Sequence, residues 1–173
     1  FFSVVEGEKF YIGNVDIDGD VLFEKKALLS KLKTKPGDLF KASNIRSDIL
    51  YLTSLYSDYG HAFANVDPKT LISEKDRKVD IIFTIEKGKL VYVDRINIRG
   101  NTKTRDKVIR RELRISEGDL YSDSAVKFSQ RRIYGLGFFE EVRITQEIKG
   151  EDVVDLNIEI KEGRTGSFSA GVG

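Results

Sequence analysis

The sequence predicts an α+β fold built twice in tandem, and three observations carry that prediction. First, the chain overlays on itself at a shift of 81 residues: Gly7 falls on Gly88, Tyr11 on Tyr92, Val15 on Ile96, Ile17 on Ile98, Gly19 on Gly100, and Gly37-Asp38-Leu39-Phe40 on Gly118-Asp119-Leu120-Tyr121. Such internal similarity marks a repeated supersecondary unit. Second, each copy alternates between helical and period-two spacing of its apolar residues, in the same order. Third, Gly, Pro, Asn and Asp cluster at matching places between those segments, as turns require.

Each copy opens on a strand. Tyr11 to Ile17 and Tyr92 to Ile98 are closed by Asp18-Gly19-Asp20 and Arg99-Gly100-Asn101. A short amphipathic helix follows over 22–33 and 103–114, with Leu28, Leu29 and Leu32, and Val108, Ile109 and Leu113, as its apolar clusters. Pro36-Gly37-Asp38 and Glu117-Gly118-Asp119 break it. A second helix starts after Ala42-Ser43-Asn44 and after Ser122-Asp123, residues suited to an N-cap. Its inward positions are Ile45, Ile49, Leu52 and Tyr56 in one copy, and Ala125, Val126, Ser129 and Ile133 in the other. It stops at Tyr59-Gly60 and at Gly135-Leu136-Gly137; the latter lacks the third glycine and the preceding strand of a dinucleotide-binding loop. A hairpin ends each copy. Val79, Ile81, Phe83 and Ile85, like Val154, Leu156, Ile158 and Ile160, mark strands with one buried face.

The order β-α-α-β-β implies a three-stranded mixed sheet with two helices packed on one face. The last strand is expected in the centre, leaving the first and the penultimate strands as edges. The boundaries follow: 1–6 as the last strand of a preceding repeat, 7–87 and 88–163 as complete repeats, and 164–173 as an overhang. A chain that starts at Phe1 and contains no Met is expected to be a segment of something longer.

Composition narrows the function. At 40% hydrophobic and 33% charged residues, the 173-residue chain can build a core. Its net charge of +1 is low for a general polyanion binder. No Cys and one His, His61, leave little for thiolate, multi-His metal or Ser-His chemistry. No enzyme, cofactor or metal site is expected, and His61 reads as a loop or surface residue.

The repeat, with its Gly-Asn turn, its Glu-Gly-Asp turn and Leu136-Gly-Phe-Phe139 after the second helix, resembles the polypeptide-transport-associated (POTRA) domain family. The second copy is the more specific. Arg95-Ile-Asn-Ile-Arg-Gly-Asn-Thr-Lys-Thr-Arg-Asp-Lys-Val-Ile-Arg-Arg-Glu-Leu113, Glu117-Gly118-Asp119 and Leu136-Gly-Phe-Phe-Glu140 are similar to the last, membrane-proximal repeat of outer-membrane barrel assembly factors. The resemblance implies a periplasm-facing scaffold that binds assembly lipoproteins and unfolded outer-membrane protein clients, with a periplasmic chaperone as a further partner. It also implies that Thr165 to Gly173 begins a membrane β-barrel, with Phe168, Ala170 and Val172 alternating with small polar residues.

Three site readings result. The edges at about 64–73 and 140–148, represented by Asn65, Val66, Val142 and Ile144, are candidates for accepting an extended client by β-augmentation; Glu140, Glu141, Arg143 and Glu147 argue for a charge-blunted edge instead. By resemblance, the corner of Arg110, Arg114, Glu117 and Asp119 faces a partner lipoprotein. The basic run Arg99 to Arg114 is the rival signal, for anionic headgroups or nucleic acid, although no nucleic-acid motif accompanies it and no nucleic-acid partner is expected. The alternatives are a POTRA pair of a two-partner-secretion transporter or another translocase, or a nucleic-acid-binding α+β module on helix 103–114. Phe138 and Phe139 are both expected to pack beneath the sheet.

Overall fold

A computed structural model describes residues 8–163. The strand expected at 1–6 and the barrel residues Phe168, Ala170 and Val172 lie outside the described residues. The chain divides into two compact units: the first runs to Tyr56 and resumes over Phe63–Gly88, and the second comprises Ser57–Ala62 and Lys89 onward.

In the first unit, β1 (Tyr11–Gly19), α1 (Lys25–Lys31), α2 (Ala42–Asp58), β2 (Asn65–Ser73) and β3 (Lys78–Glu86) follow in order. The sheet order is β1-β3-β2, with β1 parallel and β2 antiparallel to the central β3. The second unit repeats this with β4 (Tyr92–Arg99), α3 (Asp106–Arg110), α4 (Asp123–Tyr134), β5 (Phe139–Ile148) and β6 (Val153–Glu162), in the order β4-β6-β5. The last strand is central in both sheets, as expected.

Alternation places Val79, Ile81, Phe83 and Ile85 in the first core, against Leu28, Leu52 and Tyr56 from the helices. In the second, Val154, Leu156, Ile158 and Ile160 pack against Ile109, Val126 and Ile133. Both first strands carry a bulge, between Ile12 and Val15 and between Val93 and Ile96. An aspartate of the central strand pins each one: Asn14 donates its N–H to Asp80 Oδ1 at 2.6 Å, and Arg95 donates to Asp155 Oδ1 at 3.2 Å. The repeat therefore preserves a backbone irregularity together with the side chain that stabilises it.

The first helix of each copy is shorter than its apolar spacing predicts, because distant side chains bind the flanking N–H groups. Leu22 donates to the Tyr56 hydroxyl at 3.1 Å. Lys33 and Thr34 donate to Asp48 Oδ1 and Oδ2 at 2.6 and 2.9 Å. In the second unit Lys103 and Thr104 donate to the Glu162 carboxylate, Thr104 at 2.7 Å, and Arg114 donates to Ser129 Oγ at 2.8 Å. Partial burial works to raise the Glu162 pKa, but these N–H groups and the Thr102 hydroxyl prevail and hold it at about 2. Leu22, Lys103 and Thr104 are thus committed to loop contacts, and the helices start later, after Glu24 and Arg105 as N-caps.

Three further expectations are corrected. Helix α2 begins at Ala42, before the expected Ser-Asn cap. Phe139 is buried, but Phe138 is 46% exposed; consecutive side chains of an extended chain point to opposite faces, so only one of the two rings lies inside. His61 lies in the loop between α2 and β2, as read, but is buried there and not at the surface.

Candidate strand-acceptor edges and a charged corner

A three-stranded sheet exposes two rows of main-chain donors and acceptors. On β1, the segment 37–40 covers the start of that row. Ile12 donates its N–H to Asp38 and accepts from Gly37, both at 2.8 Å, and Phe10 accepts from Phe40 at 2.9 Å. Further along, Ile17 N–H turns to Asp16 Oδ1 at 2.8 Å. On β4, the segment 118–121 does the same: Val93 donates to Asp119 and accepts from Gly118, and Val91 accepts from Tyr121.

The predicted corner then completes the closure of β4. Ile96 donates its N–H to Glu117 Oε1 at 2.9 Å, and its carbonyl accepts from Arg110 Nη2 at 2.9 Å. Glu117 and Arg110 also approach each other, Oε1 to Nη1, at 3.6 Å. Two side chains thus occupy both main-chain groups of one edge residue, as a neighbouring strand would. The Ile96 N–H, and after it Arg110, hold the Glu117 carboxyl below the ordinary carboxylate range. In the first unit Pro36 and Leu29 stand at the corresponding positions and cannot form this clamp.

Of the other corner residues, Asp119 turns back on its own turn and accepts from Ser116 N–H at 2.7 Å. Arg114 points elsewhere, with its guanidinium carbon 5.8 Å from the centre of the Phe128 ring. Sequence reasoning named neither Phe128 nor Arg131, which approaches the same ring from 5.7 Å. The available signal was that Phe128 falls off the apolar stripe of Val126, Ser129 and Ile133, so a helix places it outward.

The two penultimate strands differ. On β5, Gln130 Nε2 of α4 donates to the Val142 carbonyl at 2.7 Å, and ion pairs line the strand: Glu141–Arg143 at 2.9 Å, Glu140–Lys161 at 2.9 Å, and Glu147 with Lys149. On β2, no side chain among the described residues bonds to the main chain. Pro68 has no N–H, so its pairing with Phe83 is a non-hydrogen-bonded one, and the main-chain groups of Val66, Thr70 and Ile72 face outward with it. Beside this edge Phe10, Phe40, Thr70, Ile72 and Val79 line an apolar groove of about 120 Å³.

The four predicted edge residues differ in what they expose. Val66 and Val142 are buried and Ile144 is half-buried, while Asn65 is exposed at the start of β2. The apolar side chains offered at the edges are Leu71, Ile72 and Ile148. Among the described residues, no group of three or more His, Asp and Glu side chains is placed to hold a metal ion.

Comparison with known proteins agrees with this architecture. The POTRA family model, described as "Surface antigen variable number repeat", matches residues 10–88 and 91–163. The outer membrane protein assembly factor BamA of Nitratidesulfovibrio vulgaris is 33% identical over 99% of this chain, and that of Neisseria meningitidis serogroup B is 36% identical over 99%. The chain spans 22% of the length of each. Among solved structures, Haemophilus influenzae BamA POTRA3-5 superposes with a TM-score of 0.81 at 26% identity, covering 91% of this chain and 63% of that one. BamA from Haemophilus ducreyi lacking POTRA domains 1-3 superposes with a TM-score of 0.76 at 32% identity, covering 91% of this chain and 30% of that one. The chain belongs to the POTRA family, as two consecutive repeats homologous to those of outer-membrane protein assembly factors.

Proposed function

We propose that these repeats form the periplasmic scaffold region of an outer-membrane β-barrel assembly factor, which holds extended client segments by strand addition and docks assembly lipoproteins. The observation that carries the client reading is the contrast among the four sheet edges. The β4 edge is covered by segment 118–121 and the Glu117–Arg110 clamp, the β1 edge is covered at its start by segment 37–40, and β5 is engaged by Gln130 and lined with ion pairs. The β2 edge offers outward main-chain groups beside an apolar groove. Strand addition draws affinity from the main chain and selectivity from pockets for alternate side chains. That division suits clients that share amphipathic strands but little sequence. Holding and release need no covalent chemistry.

The test is site-selective. Ile72→Lys on β2 places a charge at the groove and is expected to weaken binding of a labelled amphipathic strand peptide by about tenfold, the effect of losing one well-made apolar contact. Ile148→Lys on β5 is expected to leave it unchanged. Both side chains are well exposed, so both variants are expected to fold. Equal losses in the two, or none in either, overturn the assignment of β2.

The corner at Glu117 supports lipoprotein docking. Glu117→Lys is expected to weaken the purified lipoprotein complex while leaving the fold intact, because the clamp is half exposed and its loss costs about 1 kcal/mol. Glu117→Gln retains an acceptor for Ile96 N–H and separates charge from clamp geometry. Unchanged lipoprotein affinity in Glu117→Lys refutes the docking role.

A further inference from the structure

We propose that Phe128, Arg114 and Arg131 form a docking site for an acidic segment of a partner protein. The segment would set an apolar side chain on the ring and a carboxylate against each guanidinium. The inference rests on the reading that this part of the second unit docks a partner, and it names that partner's chemistry.

Phe128 is 43% exposed on α4, with the Arg114 and Arg131 guanidiniums at 5.8 and 5.7 Å from its ring centre. Several arginines of the unit are paired: Arg95 with Asp94, Arg110 with Asp106 and Glu117, Arg111 and Arg132 with Glu112, and Arg143 with Glu141, while Arg99 and Arg105 have no ion pair among the described residues. Arg114 and Arg131 have no ion pair among the described residues. Both guanidiniums lie within cation–π range of the ring, and neither is committed to a carboxylate of the described residues, so each can make a bidentate contact to a carboxylate. An exposed aromatic flanked by arginines is the composition that dominates binding energy in protein interfaces.

The same arrangement argues for a protein over a lipid surface. Headgroup binding relies on a field of several unpaired Lys and Arg. Here Lys127, on the exposed face of the same helix, is already paired to Asp123. Around the Phe128 ring what remains is two positive groups, which suits discrete carboxylates with an apolar group beside them; the other cations of the unit without an ion pair among the described residues, Arg99, Lys103, Arg105 and Lys107, belong to β4, α3 and the loop between them.

The test uses a labelled alanine-based helical peptide with one leucine and a glutamate one turn to either side, added to the whole chain at low salt. Binding is expected, with about a tenfold loss in Phe128→Ala and a similar loss in the Arg114→Gln/Arg131→Gln pair. A peptide with lysines in place of the glutamates is expected not to bind. The lipoprotein assay reads Glu117→Lys and this one reads Phe128→Ala with a separate peptide probe, so failure of the one and failure of the other are distinct results. Peptide affinity unchanged in Phe128→Ala overturns the proposal. So does an absence of peptide binding, with or without binding to phosphatidylglycerol vesicles.

Discussion

Asp48→Ala is expected to lower the stability of the first unit by about 3 kcal/mol. The carboxylate is almost fully buried and accepts two main-chain N–H groups, from Lys33 and Thr34. Alanine leaves both donors in a pocket closed to water, at a cost of about 1–3 kcal/mol for each unsatisfied group. The pocket has little polar capacity to spare: the neighbouring Thr34 hydroxyl is itself buried without a partner. The urea midpoint of the first unit, followed by circular dichroism, is expected to fall by about 1.5 M, for a denaturant slope of about 2 kcal/mol per molar. Asp48→Ser offers a graded control, because Ser129 occupies the corresponding place in the second unit and accepts one N–H, that of Arg114. Its loss is expected to be intermediate. An unchanged midpoint in Asp48→Ala would show that water or a shifted loop replaces the carboxylate.

Gly100→Ala is expected to be at least as damaging to the second unit. Gly100 closes β4 at φ +86, and an added Cβ would lie 2.0 Å from the Ile160 carbonyl oxygen. The left-handed conformation alone costs a residue with a side chain about 1–2 kcal/mol. The clash is with main chain of the central strand, which cannot move without releasing two neighbours. We expect a total above about 3 kcal/mol. Gly118→Ala separates the two contributions. It has the same kind of φ, +88, with no atom within 4 Å of the added carbon, and is expected to cost about 1 kcal/mol. Gly19→Ala repeats the experiment in the first unit, where Cβ would approach the Ile85 carbonyl to 2.3 Å. Similar thermal midpoints for Gly100→Ala and Gly118→Ala would exclude the backbone clash as the cause.

Most of the topology was legible because the repeat displays it twice. Gly19 and Gly100, the alternation in β3 and β6, and the breaks at Gly37 and Gly118 agree on one order of elements. The helix limits were not legible. They depend on Tyr56, Asp48, Ser129 and Glu162 binding N–H groups from 14 to 59 residues away, and no local pattern reports such a bond. Phe138 and Phe139 are equally apolar, and only the start of β5 decides which one turns inward. The edges could be named from topology alone. Their closure could not, because the groups that cover β4 come from α3 and from the turn after it. Phe128 sat in plain view off its helix's buried stripe.

The placement of the final strand at the centre of each sheet also bears on how the chain reaches its native state. Partners such as Val15 and Ile81 are 66 residues apart along the chain. Until β3 is available, β1 and β2 have no common neighbour, and the apolar faces of α1 and α2 have no floor to cover. Such non-local closure belongs to the slower range of small-domain folding. A nascent chain that emerges amino end first therefore keeps each repeat unpaired until its last ten or so residues appear, and then completes two ladders in one cooperative step. Truncation just before Lys78 or Val153 is expected to leave no partial sheet, only an unfolded repeat.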